Sequence, residues 1–258
     1  MLLNTVMGIS GVGVGGGGGF TYYSTKFDGV DDVRRGAALT GAADSKLGLC
    51  SFWLKMPASS DDATDYRILV NNNASFSLYR KGGGSVRLIV QDDAAGYVVW
   101  IDTIGVTTVL KADGWTHMIC AWDTGTAGRG KMYKNGTDAT HLDTFTLNAL
   151  GDWNGATNWS FGNGDDGGAP DFLISEFYLT TPAAYFDLTN SANVQKFRSA
   201  GGAPVDLGSD GSTPTGTAPL IYMRNQVGGS PTWTTNQGTG GNFTVTGGAI
   251  TDGGVDKP

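Results

Sequence analysis

The chain has 258 residues and a formal net charge of −7 at pH 7, from 17 basic and 24 acidic side chains. With no long basic run, that balance excludes a nucleic-acid partner, which needs concentrated positive surface; the pair Arg34-Arg35 reads as a solvated strand edge. Every acidic residue except Glu176 is an aspartate and 42 residues are glycine, a bias toward turns and away from helix in a chain long enough for one large β domain.

Residues 1–20 form a glycine-rich, low-complexity arm. Its G-x-G-x-x-G match at Gly11, Gly13 and Gly16 lacks the strand–turn–helix context of a phosphate loop. The arm lacks basic residues ahead of its apolar part and so makes a poor signal peptide. No run reaches the roughly 18 apolar residues of a membrane span, so no membrane partner is expected. Ordering poly-glycine costs about 1–2 kcal/mol per residue. The expectation is therefore that Met1, Leu2, Leu3, Val6, Met7 and Ile9 anchor the arm on a neighbouring subunit or another protein.

From Tyr22 onward the pattern is one of strands. YYSTKFD, the turn-rich GVDD and VRRGAALT come first. LGLCSFWLKM alternates, with Cys50, Phe52, Leu54 and Met56 on a uniformly apolar face and Leu49, Ser51, Trp53 and Lys55 opposite. DYRILVN, ASFSLYR, SVRLIVQD and GYVVWIDT follow, separated by turn-formers. GWTHMICAWD is apolar on both faces and reads as a central strand. Asn135-Gly136 signals a tight hairpin, and NWSFGNGDDGGAPDFLISEFYLT gives two strands around a loop. One short helix is expected near 190–199, capped by Asn190 or Thr189 and ended by Gly201. Beyond 202 the chain is Gly/Thr/Pro-rich with short strands. The whole reads as an all-β, two-sheet antiparallel jelly-roll sandwich: arm 1–20, core domain 21–225, C-terminal arm 226–258.

Cys50 and Cys120 lie in apolar strands and read as buried free thiols in preference to a single bridge, which fits folding in a reducing cytoplasm. Calcium would want hard oxygen ligands on loops. Asp28, Asp31 and Asp32 in one turn, and Asn163, Asp165 and Asp166 in another, offer them, although ordinary turns use the same residues. Trp153 and Trp159 lie in a loop-rich stretch where an indole could stack on a sugar ring; the alternative is that they pack in the core. His117 and His141 are the chain's two histidines. With no G-x-S-x-G elbow and no C-x-x-C, neither triad nor zinc chemistry is indicated.

FDGVDD (27–32), SFWLKM (51–56), GWTHMICAWD (114–123), KMYKNG (131–136) and DFLISEFYL (171–179) resemble the successive signature strands of laminin-G-like domains of the concanavalin A-like superfamily. The resemblance implies two packed antiparallel sheets and leaves the ligand open. Relatives that are β-glucanases carry paired glutamates on one strand; this chain has Glu176 alone, so the resemblance implies no enzyme and gives Glu176 a structural place. Residues 185–225 and 241–254 are similar to a C-terminal module of tailed-bacteriophage structural proteins. That likeness implies a virion component (capsid decoration, head fibre or tail-associated) folded in the host cytoplasm, with other virion proteins and copies of itself as partners. The alternative is a carbohydrate-binding module that contacts host or environmental glycans.

Overall fold

The computed structural model describes residues 22–28, 32–60, 62–71, 75–162, 171–225, 233–247, 250–253 and 258. In chain order the strands are β1 (Thr25–Asp28), β2 (Asp32–Arg35), β3 (Leu47–Lys55), β4 (Tyr66–Val70), β5 (Phe76–Arg80), β6 (Val86–Gln91), β7 (Tyr97–Asp102) and β8 (Thr116–Asp123). They continue with β9 (Gly130–Lys134), β10 (Thr137–Asp138), β11 (His141–Phe145), β12 (Trp159–Gly162) and β13 (Asp171–Thr180). After the helical turn α1 (Ser191–Val194) come β14 (Ile221–Met223), β15 (Thr244–Thr246) and β16 (Thr251–Asp252).

The strands form two antiparallel sheets. The first runs β10-β9-β8-β3-β13-β1-β16, with β14 also on β13; the second runs β11-β7-β6-β5-β4-β12-β2-β15. This is the all-β sandwich expected. Alternation decides which face is inside. Cys50, Phe52, Leu54 and Met56 all enter the core between the sheets, where they meet Leu78, Leu88, Val99 and Ile101 of the second sheet. Cys50 lies directly opposite Cys120 in the β3–β8 register. Both thiols are free and buried, and burial pushes both well above the ordinary thiol range.

The other face of the first sheet is covered too, which alternation alone does not announce. Leu49, Ile119, Ala121, Tyr178 and Tyr222 pack beneath Phe186, Leu188, Val194, Phe197 and Leu207 in a second apolar cluster. The segment from 185 to 207 is thus an outer layer over the sheet. Its helix is shorter than expected: Asn190 Oδ1 caps it by accepting from the Ala192 amide at 3.1 Å, but it ends at Val194. The chain then turns so that Arg198 can bridge to Pro204. Burial of Phe197 beside Phe186 and Tyr178 outweighs continued helix.

The stretch 226–258 is not a peripheral arm where it is described. β15 pairs with β2 and β16 with β1. Trp233 is fully buried, edge-on to Phe161 at 5.1 Å and to Phe27 at 6.0 Å. A buried indole of this size belongs to the domain's core.

Candidate functional site

The hairpin Asn135-Gly136 joins β9 to β10 with φ of +52° and +83°, the left-handed pair that a two-residue turn requires. Asn135 is fixed in it: its amide donates to the His117 carbonyl, and its Oδ1 accepts from the His117 amide, both at 2.9 Å. This turn places β10, the outermost strand of the first sheet, opposite the loop that leaves β7 of the second. Between them lies a cleft of about 350 Å³ lined by Val106, Thr107, Lys134, Asn135, Thr137, Asp138 and Ala139, a volume in the range of small-ligand sites.

The polar groups of the cleft are tied down. Lys134 Nζ donates to the Thr108 carbonyl and to Asp113 Oδ2, the latter at 3.1 Å, which clamps the loop against the hairpin. Asp138 accepts from Lys131 Nζ at 2.8 Å and from the amide and hydroxyl of Thr140. Partial burial raises the Asp138 pKa, but those hydrogen bonds outweigh it and hold the carboxyl below its usual range. On the loop side Ile104 and Val106 are 50% and 51% exposed. The cleft therefore joins an open apolar wall to a fixed carboxylate, a carboxamide and the exposed Thr137. The turn was legible in the sequence. The cleft was not, because it needs a loop some 30 residues earlier in the chain.

A second open surface lies on the outer face of the second sheet. With Leu78, Leu88, Val99 and Ile101 facing the core, alternation sends Tyr79, Arg87 and Trp100 outward. The Arg87 guanidinium lies 4.7 Å from the Trp100 ring, and Tyr97, 46% exposed, packs 5.1 Å from that ring.

Trp153 and Trp159 do not form a sugar platform. Both are fully buried, stacked on each other at 6.2 Å, and Trp153 stacks on Trp122 at 6.3 Å. Trp153 dips into the sandwich from a short loop and Trp159 enters it as the first residue of β12, directions that the turn-rich surroundings do not reveal. Of the residues expected to offer calcium ligands, Asp32 lies in β2, 4% exposed, with Oδ2 held by Arg34 Nε at 2.5 Å. Asp31, the side chain of Asp28, and Asn163, Asp165 and Asp166 lie outside the described residues, as do Met1, Leu2, Leu3, Val6, Met7 and Ile9. Among the described residues the carboxylates that converge are Asp44, Asp93 and Asp152, with one oxygen of each within 4.8 Å of the others. Hard oxygens in that grouping are the donors calcium takes. Asp44 Oδ1 also accepts from the amides of Trp153 and Asn154.

Two buried ionisable groups lie under the outer layer of the first sheet. His117 Nε2 is 2.9 Å from Ser51 Oγ, and the ring packs on Trp53. Burial, then the Arg198 charge, pulls its pKa down to about 3. The pair is closed from solvent, with exposures of 0% and 1%, so no substrate can reach the hydroxyl. Glu176 sits at an irregularity in the β3–β13 register with φ +50°. It is 3% exposed, and burial raises its pKa to about 7.

A family profile described as the Concanavalin A-like lectin/glucanases superfamily matches residues 50–183. Comparison with curated proteins gives no match. Among solved structures, the chain is similar to a native heptameric SAP-like pentraxin from Limulus polyphemus, with 14% identity over 90% of this chain and 94% of that one and a TM-score of 0.52. It is also similar to a candidate carbohydrate-binding protein from Bacteroides ovatus, with 15% identity over 93% of this chain and 62% of that one and a TM-score of 0.53. At such identities the likeness is one of fold.

Proposed function

Because this chain belongs to the concanavalin A-like lectin/glucanases superfamily, we propose that it is a non-catalytic structural protein of a tailed-bacteriophage virion, built on that lectin-like fold. The observation that carries this reading is the outer layer. The stretch that resembles a phage module packs through Phe186, Leu188, Val194, Phe197 and Leu207 onto the first sheet as a continuous apolar cluster. Module and sandwich are one folded unit, as a particle component carrying its own docking element would be. Glycoside hydrolysis uses two carboxyl groups flanking the scissile bond. Glu176, the chain's single glutamate, is buried beneath this layer, which supports the non-catalytic reading. Its partners would be other virion proteins and further copies of itself. The test is to purify particles from cells making this chain and label it with antibody. Regular decoration of head or tail is expected; particles devoid of the chain would end the reading.

A second reading is favoured by the edge cleft, namely that the same domain binds carbohydrate, the property suggested for the Bacteroides ovatus protein of similar fold. The two readings are compatible in one protein. A glycan array probed with the purified chain tests the second, with retention of a defined set of glycans as the expected result.

A further inference from the structure

We propose that the edge cleft between the β9–β10 hairpin and the loop after β7 is a binding site for an uncharged saccharide; this deepens the carbohydrate-binding reading and rests on it. The first argument is charge. The two ammonium groups at the cleft are already matched: Lys134 pairs with Asp113 at 3.1 Å, and Lys131 pairs with Asp138 at 2.8 Å. No uncompensated positive charge remains in these pairs to attract a carboxylate or sulfate sugar, and the chain as a whole carries −7. An anionic ligand would find no unmatched ammonium in these two pairs and would approach a chain of net negative charge.

The second argument is hydrogen-bond chemistry. A neutral sugar offers hydroxyls that both donate and accept, above a face of C–H groups. The Asp138 carboxylate is oriented by Thr140 and Lys131 and retains lone-pair capacity. Asn135 is anchored through Oδ1, which leaves its amide hydrogens for a partner. Thr137 is exposed beside them. These groups are held by the turn and the lysine clamp before any ligand arrives, so little ordering cost attends binding. The third argument is the wall. Val106, half exposed on a loop fixed by Lys134, gives the C–H face an apolar surface to cover.

The test uses the full chain and calorimetric titration with two oligosaccharide sets, one neutral and one carrying sialic or uronic acids, guided by array hits. Two double variants are compared with the parent: Val106→Gly with Thr137→Val in the cleft, and Tyr97→Ala with Trp100→Ala on the outer face of the second sheet. The cleft positions are exposed, and unchanged thermal unfolding confirms folding. Neutral sugars should bind, and the cleft variant should bind them roughly tenfold more weakly or worse, the loss of about one hydrogen bond plus an apolar contact; the outer-face variant should be unaffected. Binding confined to acidic sugars overturns the ligand class and leaves the carbohydrate reading standing. Loss in the outer-face variant alone overturns the location. No binding to either set overturns both the proposal and the reading beneath it.

Discussion

Tyr222 donates its phenolic hydrogen to Glu176 Oε2 at 2.7 Å across the β13–β14 pair, beneath the outer layer of the first sheet. The other carboxyl oxygen, Oε1, has no hydrogen-bond partner among the described residues. Arg224 stands behind the tyrosine, with Nη1 3.5 Å from its hydroxyl and 3.5 Å from Asp206. A glutamate so placed is neutralised more easily than in water: burial raises its pKa, and the Tyr222 bond and Arg224 only partly oppose that.

Stability should therefore fall as pH rises from about 4.5 through 7 and level off above that. Glu176 has a folded pKa of about 7 against a reference of 4.5. Its contribution is complete below about pH 4.5 and is lost as pH climbs through 7, amounting to an upper figure of about 3 kcal/mol. Glu176→Gln keeps an acceptor for Tyr222 and cannot ionise. In denaturant titrations the variant should match the parent near pH 4.5 and exceed it at pH 8. A constant difference across that range would show that Glu176 does not titrate.

His117 should act in the opposite direction. Its pKa is depressed from 6.5 to about 3, so the folded state holds it neutral. Stability is complete above pH 6.5 and declines as pH falls toward 3. His117→Gln should be less stable at pH 7, having lost the contact with Trp53, yet should lose less on acidification to pH 4. Between about 4.5 and 6.5 the slopes from His117 and Glu176 oppose each other, and the double variant is expected to lack both.

Gly48 faces Trp122 across β3 and β8. A Cβ there would lie 1.9 Å from Cζ2 of the buried indole, which is itself stacked on Trp153. Gly48→Ala should destabilise by about 3 kcal/mol, at the upper end of overpacking effects. Combining it with Trp122→Leu should cost clearly less than the two single changes together. Additive losses would show that the methyl meets a different obstacle.

The carboxylates of Asp44, Asp93 and Asp152 repel one another, and the Asp152 pKa is raised by burial and then by its two neighbours. Without added divalent ions, Asp152→Asn keeps an acceptor for the Gly155 amide and should stabilise the chain by about 0.5–1 kcal/mol at pH 8. The gain should shrink as pH falls toward about 3.5, because the Asp152 carboxyl, held above its usual range, takes up its proton first. An equal gain at both pH values would point to packing and not charge.

Local sequence was enough to determine the longer apolar strands, the inward face of β3 and the 135–136 turn, but not the exposed β10 and β11 or the two-residue β16. A strand's side-chain period of two, and the positive φ that Asn-Gly tolerates, are properties of neighbouring residues. That is why Cys50, Phe52, Leu54 and Met56 could be assigned to the core from their alternation. The placements that only tertiary structure decided all depend on what arrives from far away in the chain. Trp153 is buried because the sandwich closes over its loop, and Trp159 because β12 pairs between β2 and β4 with that side chain facing the core. Trp233 enters the core because β15 and β16 return to β2 and β1. Glu176 is desolvated because residues 185–222 fold back across β13. The edge cleft exists because the loop after β7 meets a hairpin of the other sheet. No local pattern carries such information, since burial and charge compensation are set by surfaces that separate segments of the chain bring together.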